Sequence, residues 1–144
     1  NLYDAPPRYF VFAGLVFTPL TLDYVKTFGR NWRGVANSEM IYELYYRRNE
    51  TPAKVRKEPV VLATTLAHAV NADMRLASRA MIDTINGKRI ESLEDVIAAF
   101  EDNKKPQHMI QFISGTVECL NNAEAELANP EILSTYGIQS DRRL

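Results

Sequence analysis

At 144 residues, with 46% hydrophobic and 24% charged side chains, the chain has the length and composition of one globular domain with material for a sizeable core. A formal net charge of −1 gives no overall bias towards nucleic acid or an anionic membrane. Its single cysteine, Cys119, excludes an intrachain disulfide and an all-cysteine zinc site. Its neighbours Val117 and Leu120 predict a half-buried strand thiol rather than a nucleophile. No apolar run approaches the length of a membrane span, and no secretory apolar region is present. The first residue is Asn rather than Met, so the expectation is an excised or processed fragment.

Residues 1–7 read as a lead-in closed by Pro6-Pro7. Residues 9–17, Tyr-Phe-Val-Phe-Ala-Gly-Leu-Val-Phe, are rich in aromatic and β-branched types and apolar on both parities. They predict one strand buried on both faces, with Gly14 marking a bulge or a close backbone approach. Thr21 then caps a short helix reaching Phe28, with Gly29 after its last turn. Ser38 caps a second helix over about residues 39–47, with Met40, Ile41, Leu44 and Tyr45 on one side. Residues 49–58 are polar and hold Pro52, Lys54, Arg56 and Lys57, which reads as a solvated basic loop. Residues 60–66 form the next strand, Val60, Leu62 and Thr64 on one face and Val61, Ala63 and Thr65 on the other. His68 follows without a metal-ligand partner at suitable spacing, which predicts a surface or locally bonded histidine. His108 is equally isolated.

Residues 80–100 are the most informative stretch. Ile82, Thr84 and Ile85 make a strand, and Asn86-Gly87 is the strongest short hairpin signal, since both residues tolerate positive φ. Ser92 caps a helix, with Asp95 where a capping-box acid sits. Leu93, Val96, Ile97 and Phe100 then fall on one helical face. Residues 109–113 and 116–120 predict a hairpin around Ser114-Gly115. A short helix over about residues 123–127 follows. Asn129-Pro130 then starts a separate one that ends at Gly137.

Chemistry is sparse. A serine hydrolase needs a nucleophile, a base and a group that orients the base. No Gly-x-Ser-x-Gly elbow occurs, and the two histidines lie outside any recognisable signature. His-Glu-x-x-His, a P-loop and Gly-x-Gly-x-x-Gly are also missing. The reading is therefore a binding module, with no catalytic residue, no metal and no cofactor.

The order of residues 9–17, Leu20-Thr21, residues 60–66, Ile85-Asn86-Gly87-Lys88 and Ser92-Leu93-Glu94-Asp95 resembles the C-terminal PDZ domain of Deg/HtrA serine proteases. Glu43-Leu44-Tyr45-Tyr46 and the ending Ile132-Leu133, Tyr136-Gly137-Ile138 and Asp141-Arg142 are similar to the plant-type Deg branch and its bacterial relatives. The resemblance implies an α+β fold, a PDZ-like bent β-sheet or partly open barrel capped by helices. It places a lead-in at residues 1–8, the PDZ-like domain at 9–120 with a helical insertion at 30–58, and a C-terminal helical extension and tail at 121–144. It implies a non-catalytic module of an ATP-independent protease of protein quality control, which binds extended peptide or protein C-termini and regulates substrate access or assembly. The serine-protease triad would lie in a domain outside this chain. Partners would be peptides, the protease domain and neighbouring subunits of a homo-oligomer, with no nucleic acid and no membrane. The compartment would be a periplasm or cell envelope in a bacterium and an organelle in a plant.

Peptide would add to a sheet edge at Val60, Val61, Leu62, Ala63 and Thr64. Backbone donors around Glu58 and Pro59 would hold its carboxylate, and Leu93, Ile97 and Phe100 would form the opposite wall. Gly14-Leu15-Val16-Phe17 mimics a carboxylate-binding loop, but its place before the Leu20-Thr21 helix start makes it a decoy. Glu58-Pro59 stands where the family's binding loop has glycine. The alternative is therefore a structural oligomerisation module whose groove is closed and does not bind free peptide. The tail, residues 138–144, follows the helix stop at Gly137 and reads as a frayed end that projects from the domain; the alternative is that it docks on a neighbouring subunit, in a PDZ groove or against the protease domain.

Overall fold

The computed structural model describes residues 8–21, 56–74 and 80–144. The helices expected after Thr21 and Ser38, and so the body of the insertion, lie outside them. Among the described residues the fold is α+β, as expected: an open antiparallel sheet of eight strands with two α-helices. In chain order these are β1 (Tyr9–Phe12), β2 (Leu15–Pro19), β3 (Val60–Thr65), β4 (Ala80–Ile85), β5 (Lys88–Arg89), α1 (Leu93–Glu101), β6 (Gln107–Phe112), β7 (Val117–Asn121), α2 (Asn122–Thr135) and β8 (Arg142–Arg143). A 3₁₀ turn spans Ala69–Asn71. The sheet runs β7-β6-β4-β3-β2-β1-β8, with β5 paired to β4.

The expected single strand at residues 9–17 is a tight hairpin. Ala13 and Gly14 both have positive φ, 53° and 86°, so Phe12 pairs with Leu15. Gly14 is in close contact, as expected, although it sits in the turn; the register irregularity falls at Val16/Phe17 instead. A Cβ on Gly14 would lie 2.6 Å from the Asn71 amide and closer still to the Leu66 carbonyl oxygen. Asn71 fills the space that glycine leaves, donating to the carbonyls of Ala13 at 2.9 Å and Leu66 at 3.0 Å.

The main core lies between the sheet and α1. Phe10, Leu15, Phe17, Leu62, Ile82, Ile85, Leu93, Val96 and Phe100 are buried together. Phe100 stacks on Phe12 with ring centroids 4.5 Å apart and also meets Phe17 and Phe10. A smaller cluster of Ala13, Leu120 and Ala125 joins the hairpin tip to β7 and α2.

The two short helices expected at residues 123–127 and after Asn129 are one continuous helix, with Asn121 as its cap. Asn121 accepts from Glu124 N–H at 2.9 Å. Pro130 removes one internal bond but is exposed, and Ala125, Ala128 and Ile132 hold the helix to the sheet on both sides of it. The Asn129 carboxamide does not cap a helix; it accepts from Ala13 N–H at 3.0 Å.

Candidate functional site

The feature that could receive an extended segment is the cleft between β1 and α1. α1 forms where Leu93, Val96, Ile97 and Phe100 bring an apolar face to the sheet. Its first turn is tied down from several directions. Ser92 accepts from Asp95 N–H at 3.2 Å, and the Asp95 carboxylate accepts from Glu91 N–H at 3.0 Å. Glu58 accepts from Leu93 N–H at 3.1 Å, placing a carboxylate on the positive end of the helix. Arg8, just before β1, bonds both Glu58 and Glu94. The start of β1 is thus fixed to the start of α1 through one guanidinium.

The far end of α1 is held by Asn86. Its amide donates to the Ala99 carbonyl at 3.0 Å while its oxygen accepts from Met109 N–H at 2.8 Å. The same amide lies 3.0 Å from Nδ1 of His108, and so does that of Asn103. His108 is buried, with its ring edge-on to Phe12 and Phe100 at 5.3 and 5.0 Å. Burial lowers its pKa below the usual 6.5, outweighing the opposing effects of Asn122 and Glu126, so Nδ1 accepts from an amide. A histidine that read as isolated in sequence is thus a hub under the cleft.

The outer edge of β1 carries β8. Tyr9 pairs with Arg143 and Phe10 with Arg142, antiparallel, and Val11 N–H donates to the Asp141 carbonyl at 2.7 Å. Tyr9 Oη donates to the Ser140 carbonyl at 2.7 Å. The tail is therefore held on its own domain, which corrects the expectation that it projects away. Arg142 lies 5.2 Å over the Phe10 ring and 3.4 Å from the Glu101 carboxylate of α1. Asp141 chelates it at 2.9 and 3.1 Å, and this bonding, opposed by burial and aided by Glu101, raises its pKa and keeps it charged. Beside it a cleft of about 320 Å³ is lined by Glu94, Ile97, Ala98, Glu101, Asp102, Arg142 and Leu144.

The structure distributes the residues expected to touch peptide. β3 is an interior strand, bonded to β2 along its length and to β4 through Val61 and Leu62. Residues 60–64, expected as a free edge, are therefore paired to β2 on one side and, at Val61 and Leu62, to β4 on the other. Val60, Val61 and Leu62 are fully buried, Ala63 is half-buried and Thr64 is exposed. The Pro59 carbonyl accepts from Leu20 N–H at 2.6 Å, and Glu58 caps α1. Leu93 and Phe100 are core residues, whereas Ile97, 7% exposed, lines the cleft. Arg56, expected in a solvated basic loop, is buried and bonds the Ile90 carbonyl at 2.9 Å and the Asp83 side chain. Cys119, expected half-buried, is exposed on β7 because Leu120 takes the inward side. His68 accepts from Val70 N–H at 3.1 Å and lies 3.4 Å from Glu131, a local role. Among the described residues no cluster of three or more histidine, cysteine, aspartate or glutamate side chains could hold a metal ion.

Sequence reasoning missed Arg8, Asn86 as a side-chain bridge, His108 and the β1 edge. A strand edge facing a helix across a cleft, with an extended segment added to the sheet, is the architecture of a strand-addition module. The chain belongs to the PDZ domain family, whose model matches residues 1–143. PDZ domains are non-catalytic interaction modules that bind peptides or other proteins. No curated protein matches the chain.

Proposed function

We propose that this chain is the PDZ module of a Deg/HtrA-type, ATP-independent serine protease and that it binds extended peptide between β1 and α1. The ordered motifs described above support the parentage, and the cleft supports the binding mode. One observation carries the latter: a segment already lies antiparallel on the β1 edge, with an aliphatic side chain beside Ile97. A peptide in that place gains backbone bonds from β1 and side-chain contacts from α1. In the parent protein this site would receive substrate or neighbouring-subunit segments and so regulate access or assembly.

The same observation favours a second reading, a closed module that serves oligomerisation and takes no free peptide. An amide-detected titration separates the two. Short peptides ending in an apolar residue, with free or amidated C-termini, are added to the full chain. Shifts concentrated at Phe10, Val11, Phe12 and residues 94–98 are expected. Absence of shifts at millimolar peptide, together with concentration-dependent self-association, would establish the second reading. Shifts confined to β3 would return the site to residues 60–64.

A further inference from the structure

We infer that residues 141–144 are a resident ligand of the β1–α1 cleft, and that the cleft selects an extended strand with arginine two positions before an aliphatic residue. The inference rests on the peptide-binding reading above and names its ligand class and its first competitor.

Three features of the segment are those of a ligand rather than of an ordinary edge strand. Its strand pairing comes from β1: Val11 N–H to the Asp141 carbonyl, then the Phe10–Arg142 and Tyr9–Arg143 pairs, while the Ser140 hydroxyl donates to the Arg142 carbonyl at 3.0 Å and accepts from its N–H. Its side chains divide between the two walls. Arg142 lies over the Phe10 ring of the sheet and reaches Glu101 on the helix, and Arg142 and Leu144 form the tail side of the space that stays open towards Ile97 and Ala98 of α1. The segment is also short and lightly buried. The Arg142 side chain is 36% exposed and Leu144 is 57% exposed, so leaving the cleft uncovers little apolar surface.

The helix wall explains the selectivity. Glu94, Glu101 and Asp102 line the cleft, and Arg8 already engages Glu94. Of the cleft-lining acids Glu101 is the one that meets Arg142, at 3.4 Å, beside the closer pairing with Asp141 inside the segment, and the Phe10 ring beneath adds a cation–π contact. A guanidinium at this position is attracted by both walls, whereas a carboxylate is repelled by the acidic one. Because the segment is tethered, its effective concentration at the cleft is high, and a competing peptide must displace it. The affinity seen for an added peptide is then the intrinsic affinity multiplied by the fraction of clefts that the tail leaves open.

The test uses the full chain and a labelled heptapeptide, Ile-Gln-Ser-Asp-Arg-Arg-Leu, which copies residues 138–144. Arg142→Glu in the chain places like charge against Glu101 without touching the core. It should raise affinity for the added heptapeptide about tenfold or more, and quicken hydrogen exchange at Val11 N–H by a similar factor. Deleting residues 139–144 should do the same, with circular dichroism as the check on folding. Replacing the first arginine of the heptapeptide by glutamate should weaken its binding about tenfold. Unchanged affinity and unchanged Val11 exchange in Arg142→Glu overturn the resident-ligand claim. Equal binding of the arginine and glutamate peptides overturns the selectivity. A heptapeptide that binds no variant overturns the inference as a whole. Whether peptides of other sequence still shift β1 and α1 then decides the peptide-binding reading separately.

Discussion

The β1-β2 and β4-β5 hairpins have nearly the same turn and owe it to opposite causes. Ala13-Gly14 and Asn86-Gly87 adopt φ values of 53° and 86°, and 53° and 82°. At Asn86-Gly87 the residues specify the turn themselves, since both tolerate positive φ and a Cβ on Gly87 would meet nothing within 4 Å. At Ala13-Gly14 the first residue resists the conformation, and the turn is imposed by Asn71, Leu66 and Asn129 packed around it. Local chemistry makes one turn, and tertiary contact makes the other.

The largest expected effect separates the two glycines. Gly14→Ala should cost about 3 kcal/mol or more, combining about 1–2 kcal/mol of left-handed strain with about 1–3 for displacing the Asn71 bonds. Gly87→Ala should cost only the strain. Equal losses in urea unfolding would break the comparison. Asn86→Ala should come next, at about 1–3 kcal/mol, because the Ala99 carbonyl and Met109 N–H lose their partner. Asn86→Gly, which keeps the backbone freedom, should recover little of it. Recovery to the parent stability would reduce Asn86 to a turn residue.

A pH titration sharpens the point. His108 has its folded pKa lowered below 6.5 by burial, so the unfolded chain takes up a proton first. Stability from this group is therefore complete above about pH 6.5 and falls as pH drops through and below that value. His108→Gln should remove this part of the acid-side slope. Asn86→Asp should reduce it, because a carboxylate beside Nδ1 favours the charged ring. Thermal melts between pH 7.5 and 5 decide both. The smallest effect is expected for Ala13→Gly. Relief of strain is offset by the buried methyl and by backbone entropy, and the net change should stay within about 1 kcal/mol. A larger loss would mean that the alanine methyl, rather than Asn71, secures the turn.

The contrast also explains what the residues disclosed. β3, β4, β6 and α1 were legible because β-branched runs, Asn86-Gly87 and the Ser92 cap are local signals that packing reinforces. The first hairpin was not, since an Ala-Gly pair inside an apolar run has no turn signature. That β3 is an interior strand was hidden for a related reason. The apolar run at residues 60–65 shows that β3 is buried, but not that β2 pairs along one edge and β4 at Val61 and Leu62 on the other. β8 was hidden altogether, because Arg142-Arg143 has no strand preference and is ordered only by what it pairs with. Of the expected cleft wall, the helix was readable by its periodicity. The opposing strand depended on topology that no local pattern carries.

The pairing of Tyr9 with Arg143 also has a mechanical meaning. The two ends of the described fold leave from one point on the sheet, antiparallel and side by side. Tension drawn through Arg8 and Leu144 pulls these strands apart sideways, loading the β1-β8 bonds one after another rather than together. That is a zipper, which yields at lower force than strands pulled along their length. Traction on flanking polypeptide would lift β8 first and bare the β1 edge while β2 and β3 are still unloaded.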